Sequence, residues 1–433
     1  MKVNIFWFRR DLRLHDNTAL NAALNYPNVK PIFIFDQCIT QKLKKDDPRL
    51  SFIYSLLKDI DDILKKYNSG IHIYIGEPKD VWLDIVKNEE IETVYWNRDY
   101  EPYALKRDLS IIKLLQSYNI KIKTFKDQVI FEKSEIVKND NSPYVVYTPY
   151  KKKWLQSLKA LNLDFSLILN SKLKYGNFLQ SSTNIPSFSD LGFVTSDIMV
   201  KPFTFDELAV YDVSRDFPSQ DKTSYLGPHL RFGSVSIRQC VFNALNINET
   251  FLSELIWREF FMQILYHFPF VENSCFKSKY NNIKWRNNQK EFNIWCLGQT
   301  GYPLVDAGMR QLNETGYMHN RVRMVVASFL VKHLLIDWRW GERYFADKLL
   351  DFELSSNNGN WQWAAGTGCD AAPYFRIFNP ISQLQKFDPS FAYTRIWVED
   401  LDANTYPKEI VDHKFARQRC LEVYQKGIST ESL

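Results

Sequence analysis

Hydrophobic residues in the first third of the chain fall into five short β-rich runs, residues 3–9, 30–36, 71–77, 93–99 and 120–127. Between them apolar positions recur at helical spacing, as Phe52, Leu56, Leu57, Ile60 and Leu64 do within residues 50–67. Strands alternating with helices predict a Rossmann-like α/β domain over residues 1–130, with a five-stranded parallel, doubly wound sheet. Its ligand crevice should lie at the carboxyl ends of the strands. Two polar runs sit at such ends, Arg9-Arg10-Asp11-Leu12-Arg13 and Asn97-Arg98-Asp99-Tyr100-Glu101. No G-x-G-x-x-G follows the first strand, which argues against a dinucleotide bound in the usual Rossmann way.

The pattern then changes. Residues 131–204 carry Ser, Asn and Pro clusters and predict a long connector with little regular structure. Within it, Tyr150-Lys151-Lys152-Lys153-Trp154 fits a solvated helix start better than a basic contact surface. From 205 to 433 the periodicity is helical throughout. Ser236-Ile237-Arg238-Gln239 has the form of a capping box. A long helix is expected over residues 251–268, stopped by Pro269, and another over 303–317, from a Pro to near Gly316. Residues 321–338 are apolar nearly all round and predict a single buried central helix. The all-helical part should form the second domain.

Residues 338–380 stand apart. Trp338, Trp340, Trp361 and Trp363 share this stretch with Asp351, Glu353 and the run Asn357-Asn358-Gly359. Such a mixture predicts irregular backbone wrapped around a planar ligand, with loops carrying polar contacts.

Composition adds little to the fold but narrows the chemistry. Aromatic residues make up 15% of the 433 residues, with 12 Trp among them, enough for stacking on rings or bases. A net charge of +5 permits a nucleic-acid partner without requiring one. Six scattered Cys, with no C-x-x-C and no His cluster beside them, argue against a disulfide framework and against zinc. The N-terminus turns charged too early for a secretory signal, and the most apolar run, 324–336, is too short to span a bilayer. A soluble, cytoplasmic, monomeric protein with no membrane partner is expected.

Two helix faces and a turn carry candidate chemistry. Glu254, Trp257, Arg258 and Phe261 lie at i, i+3, i+4 and i+7, which suits a flat polar ligand or, as plainly, a surface ion pair beside a half-buried Trp. Asn320, Arg323 and Met324, after His319, make a second face. Thr223-Ser224, just before Leu226-Gly227-Pro228, offers hydroxyl and N–H donors to phosphate, or an ordinary helix cap.

The motifs WFRRDLRLHDN, RDFP, TSYLGPHLRFG, ELIWREF, TGYPLVDAGMRQL, GYMHNRVRM, DWRWGERYF, NNGNWQWAAGTG and DAAPYFRIFNP run the length of the chain in one order. In them the chain resembles the photolyase/cryptochrome flavoprotein family, and most of all its class I cyclobutane pyrimidine dimer photolyases. The resemblance implies a U-shaped FAD in the helical domain and an N-terminal domain of the antenna-binding type. Tyr211, Thr223, Ser224, Tyr225, Leu226 and Gly227 would hold the FAD phosphates. Arg323 and Asp351 would pair beside the isoalloxazine, with Glu353 nearby and Asn357 facing its N5; Arg258 and Phe352 would also bind the cofactor. Trp361, Trp338 and Trp285 match a three-Trp electron relay. Glu254, Trp257, Asn320, Met324 and Trp363 match the lesion pocket, Glu254 bonding a thymine carbonyl. Arg215, Arg321, Arg376 and Gln383 match positions near DNA.

What the resemblance implies is light-driven DNA repair, in which an electron from photoexcited reduced FAD splits a flipped-out dimer. The alternatives are a cryptochrome-like blue-light receptor on the same fold, a (6-4) photolyase, or an electron-transfer flavoprotein. Against the (6-4) enzymes stand Asn320 and Met324 in place of their His pair. Against the receptor stand Asn357, where plant cryptochromes carry Asp, and a short expected tail after Pro380. The chain departs from the family pattern at Gly227, where Ser is usual, at Tyr317, where Trp is usual, and at Tyr103-Ala104, where folate-antenna contacts would be Asn-Glu. A second, antenna chromophore is left open in presence and kind.

Overall fold

The computed structural model describes residues 2–161, 165–169 and 172–429. Contacts divide the chain into two compact units. One comprises Met1–Ile136, Trp154–Phe203 and Tyr225–Asn246, and the other Val137–Lys153, Thr204–Ser224 and Ile247–Leu433.

In the first unit β1 (Val3–Phe8), β2 (Val29–Asp36), β3 (His72–Gly76), β4 (Ile91–Asn97) and β5 (Lys121–Phe125) form one parallel sheet in the order β3-β2-β1-β4-β5. This is the predicted doubly wound sheet, with its strand order reversing at β1. Residue alternation sorts the two faces. Phe6, Phe8, Phe33 and Phe35 pack with Leu57, Ile60 and Leu64 of helix Pro48–Lys65 on one side. Ile5, Trp7, Ile32, Ile34 and Trp96 pack with Trp82, Ile85 and Ile111 on the other.

The charges at the strand ends are joined to one another. Arg9 bonds Asp108 at 2.6 Å, Arg10 reaches Glu101 at 3.1 Å, and Arg231 meets the same Glu101 at 2.9 Å. Arg13 and Arg238 share the buried Asp127, each at 2.7 Å. Those two guanidiniums hold the Asp127 carboxyl well below the usual range, against the opposing push of burial. Residues 225–246 join this unit through Gly233, which closes helix Leu226–Phe232 at φ +73°. A Cβ there would lie 2.2 Å from the Arg10 carbonyl oxygen, so only glycine fits.

Three expectations about local structure need correction. Helix Tyr147–Leu161 occupies part of the predicted connector. Tyr147, Tyr150, Trp154 and Leu158 are all buried and fall at helical spacing, a stripe that the surrounding lysines mask. The single helix expected over 321–338 is helix Asn320–Ser328, a wide turn Phe329–His333, and a break where Leu335 takes φ +50°. Asp337 then caps the next helix, Trp338–Lys348, its carboxylate accepting from the Arg339 N–H. Nearly everything from Val325 to Trp338 is buried, so tertiary packing sustains the irregular path.

The third correction concerns the Asn-Asn-Gly run, which is helical within Leu354–Ala365 rather than irregular. Its polar side chains tie down neighbouring segments. Asn358 Nδ2 donates to the Val271 carbonyl and to Glu342, and Gln362 Nε2 donates to the Val271 and Ser274 carbonyls. Gly359 lets the Phe261 ring come close, since a Cβ would stand 2.1 Å from it. Small and amide-bearing residues are therefore what this crowded helix requires.

Candidate functional site

Helix Glu249–His267 is the frame of the site in the second unit. Asn248 caps it, accepting from the Phe251 N–H, and Leu252, Leu255, Ile256 and Phe260 bury most of its girth. On the same helix Glu254, Trp257 and Arg258 are half-buried. The Arg215 guanidinium lies 2.5 Å from the Glu254 carboxylate and 5.3 Å from the Tyr211 ring centre. Glu254, Arg215 and Tyr211 are thus brought together from two segments far apart in sequence. Trp257 stands one turn further on.

A second group gathers where helix Asn320–Ser328 meets the start of helix Leu354–Ala365. Arg323 binds Asp351 through two bonds, of 3.2 and 2.9 Å, and gives a third to the Met318 carbonyl at 2.7 Å. Burial opposes its charge, but Asp351 more than offsets that and raises its pKa. Arg258 meets Glu353 at 3.4 Å. Phe352, between the two acids in sequence, is half-buried against the core. Asn357, one turn into the helix, is buried and donates its amide to the Glu342 carbonyl at 3.0 Å. Ser355 is buried, and its hydroxyl has no hydrogen-bond partner among the described residues.

The remaining positions distribute as follows. Tyr317 donates its phenol to the Thr223 hydroxyl at 3.1 Å, and Ser224 accepts the Thr204 N–H on its carbonyl. Tyr225, Leu226 and Gly227 belong to the first unit, Tyr225 at φ +51° ahead of helix Leu226–Phe232. Arg321 binds Asp216 at 2.6 Å and lies 4.3 Å from the Phe387 ring centre, while Asn320 is exposed and Met324 half-buried. Trp363 is half-buried, Arg376 is exposed, and Gln383 turns an unpartnered oxygen inward.

Trp338 and Trp361 are buried in one core, and the half-buried Trp285 packs against its edge. Helix Trp338–Lys348 reaches Trp361 through Gly341, whose Cβ, if present, would lie 2.1 Å from the indole. Sequence reasoning missed Trp295, whose ring stands 6.3 Å from that of Trp361. It missed Glu342 too, whose carboxyl burial pushes up to about 7. Trp295 lies outside every motif, and Glu342, though within DWRWGERYF, has nothing in that run to mark it as a buried acid. Trp295 has only helical spacing from Phe292 as a signal.

The profile of the DNA photolyase family matches residues 4–166, and that of the FAD binding domain of DNA photolyase matches residues 251–405. The deoxyribodipyrimidine photo-lyase of Agrobacterium fabrum is 35% identical over 97% of this chain and 97% of its own. The chain belongs to the DNA photolyase family. Solved relatives superpose over nearly its full length. A class III photolyase from Agrobacterium tumefaciens gives a TM-score of 0.86 at 33% identity, covering 99% of this chain and 98% of its own. An archaeal photolyase from Sulfolobus tokodaii, solved with two FAD molecules, gives 0.80 at 33% identity, covering 98% and 99%. Likeness to a class III enzyme means that family membership does not carry the class I resemblance with it.

As a photolyase-family protein with the family's FAD-binding domain, the chain can be tested for its fit to FAD. The donor set suits a flavin: a half-buried Arg323–Asp351 pair, an Asn357 oxygen and the orphaned Ser355 hydroxyl, with Asp351, Ser355 and Asn357 close together in sequence. Among the described residues no helix is long and apolar enough to cross a membrane.

Proposed function

We propose that this protein repairs cyclobutane pyrimidine dimers in DNA under light, as a deoxyribodipyrimidine photo-lyase that uses FAD. The observation that carries the reading is the face of helix Glu249–His267, where Glu254, held by Arg215, stands one turn before Trp257. An acid fixed by a guanidinium beside an indole is the chemistry needed to grip a pair of flat, imide-bearing rings.

Arg215, Arg321, Arg376 and Gln383 would meet the DNA backbone and set its register. The dimer would leave the stack at low cost, damage having weakened its pairing; photolyases are among the general examples of base flipping. Trp257 and Trp363 would pack on its rings, with Asn320 and Met324 completing the walls. Glu254 presents acceptor oxygens, since an ionised carboxylate cannot donate. It therefore suits the imide N–H next to the thymine carbonyl rather than the carbonyl that the resemblance implied, and its charge stays balanced by Arg215.

Bound in reduced form and excited by light, FAD would lend the electron that opens the cyclobutane ring and recover it once the ring has split. Tyr211, Thr223 and Ser224 would hold its phosphates, and Arg258, Phe352 and Glu353 would flank its ring system. Arg323 and Asp351 would fix the polar edge. Asn357, its amide donor already engaged by Glu342, would offer Oδ1 to an N–H of the flavin. Trp361, Trp338 and Trp285 would line the route by which electrons reach the cofactor.

The test is to mix photoreduced protein with a dimer-containing oligonucleotide under blue light. Thymine monomers should appear. Dimers that survive while the flavin is fully reduced would refute repair and leave a receptor on the same fold.

A further inference from the structure

We propose that Tyr147 is a positioning residue for lesion recognition, holding the Trp257 indole so that its other face receives the dimer. The inference rests on the reading of Trp257 as a lesion contact.

Tyr147 opens helix Tyr147–Leu161 and is attached at three points. Its ring stacks on Trp257 with centroids 3.6 Å apart and planes 7° from parallel. Its phenol donates to the Ser253 carbonyl at 2.7 Å, one turn before Trp257 on the same helix. Its backbone N–H donates to Asp370 Oδ2 at 3.0 Å, in the segment that leads to Arg376. Phe260 and Phe261 pack on the same indole at 5.5 and 5.4 Å, edge-on and tilted. Tyr147 is itself buried, at 8% exposure, whereas Trp257 is only half-buried.

The consequence is a fixed indole. A half-exposed Trp could otherwise sample several rotamers, and a ligand stacking on it would bear the cost of ordering it. A flat ring locked beneath one face removes that cost before the lesion arrives and leaves one plane for it to meet. Undamaged duplex, gripped through phosphates alone, gains nothing from the arrangement. Tyr147 should therefore affect the preference for damaged DNA rather than DNA binding as such. Because its N–H also anchors Asp370, the same residue keeps the loop bearing Arg376 in register with the pocket.

The experiment compares the Kd values of the FAD-loaded protein for a dimer-containing oligonucleotide and its undamaged twin. Tyr147→Leu and Tyr147→Met both remove the flat ring while keeping apolar volume, so either can carry the test if the other folds poorly. Each should lose about tenfold in affinity for the dimer, the size of a stacking contact. FAD content and undamaged-DNA affinity should stay at wild-type levels. KM should rise while kcat at saturating DNA and light holds. Tyr147→Phe, which keeps the stack and loses only the Ser253 bond, should restore most of the preference. Trp257→Leu separates the two layers of the argument. If it abolishes the preference while the Tyr147 variants keep theirs, the positioning role is overturned. If Trp257→Leu also leaves the preference intact, the lesion-contact reading of Trp257 falls and takes the inference with it.

Discussion

Asn357 donates its side-chain amide to the backbone carbonyl of Glu342, 3.0 Å away. The bond fixes which end of the amide is left over: Oδ1 is the atom available to a ligand. Asn357→Asp would set two acceptors against each other at that contact. The expected cost is about 1–3 kcal/mol, the penalty for a buried acceptor deprived of its donor. Thermal denaturation should show a lower midpoint, and the reduced flavin should reoxidise faster in air, followed by the return of oxidised-flavin absorption. A variant with wild-type stability and reoxidation would mean the amide orientation is not what the site depends on.

Glu342 itself titrates unusually. Burial raises its carboxyl from 4.5 to about 7, with Glu272 adding to the rise and Asn358, Arg339 and Arg343 opposing it. Between pH 4.5 and about 7 the folded protein keeps a proton that the unfolded chain has released. Stability therefore falls as pH rises through that window and levels off above it, by about 3 kcal/mol. Glu342→Gln keeps an oxygen for the Asn358 Nδ2–H and removes the titration. Urea unfolding from pH 5 to 8 should be flatter for the variant, and the variant should be the more stable form at pH 8. Parallel curves would assign the slope to other groups.

Elements with a single periodicity were legible in the sequence; elements whose residues answer to neighbours were not. The central strands β1 and β2 read clearly because Phe6, Phe8, Phe33 and Phe35 alternate with Ile5, Trp7, Ile32 and Ile34, and both sets are buried. Helix Leu354–Ala365 was hidden because its Gly359 and Asn358 serve Phe261, Val271 and Glu342, which lie 16 to 98 residues away. Intrinsic propensity speaks against helix there, and packing overrides it. For the site, the motifs singled out Glu254, Arg323 and Asp351, but not the pairing of Glu254 with Arg215, 39 residues earlier. The stacking of Tyr147 on Trp257 across 110 residues has no local signal at all.

Trp338 is fully buried and begins the helix whose Gly341 packs against Trp361. If these indoles carry electrons, Trp338→Phe should abolish photoreduction of oxidised FAD. It should leave repair by chemically reduced enzyme intact, since the lesion pocket is untouched. Some loss of stability, about 1–3 kcal/mol, is expected from the smaller ring. A variant that photoreduces at the normal rate would remove Trp338 from the relay and turn attention to Trp295, which also abuts Trp361.

Glu254→Ala separates lesion chemistry from cofactor retention. The carboxylate contacts Arg215 and lies outside the Arg323–Asp351 group, so FAD content should match wild type. Affinity for the dimer should fall by about tenfold or more, as expected when a hydrogen bond to a charged group is lost. Loss of flavin from the variant would place Glu254 in the cofactor's support instead.

Gly359→Ala tests whether the site depends on the close approach of two helices. Alanine is the better helix former by about 1 kcal/mol, so propensity alone predicts a gain. The added Cβ, however, would lie 2.1, 2.4 and 2.7 Å from three Phe261 ring carbons, and Phe261 is buried beside Trp257 and Phe260. Overpacking of that kind costs about 1–3 kcal/mol and should outweigh the propensity. Displacing Phe261 would shift Trp257 on one helix and Asn357 and Asn358 on the other. The expected result is a lower melting temperature, reduced FAD content and weaker preference for damaged DNA, all in one variant. Gly176→Ala is the control: no atom lies within 4 Å of its Cβ, so the reduced freedom of the unfolded chain should leave it neutral or slightly stabilised. If Gly359→Ala behaves like that control, the two helices can part without loss, and the close contact is not what holds the site.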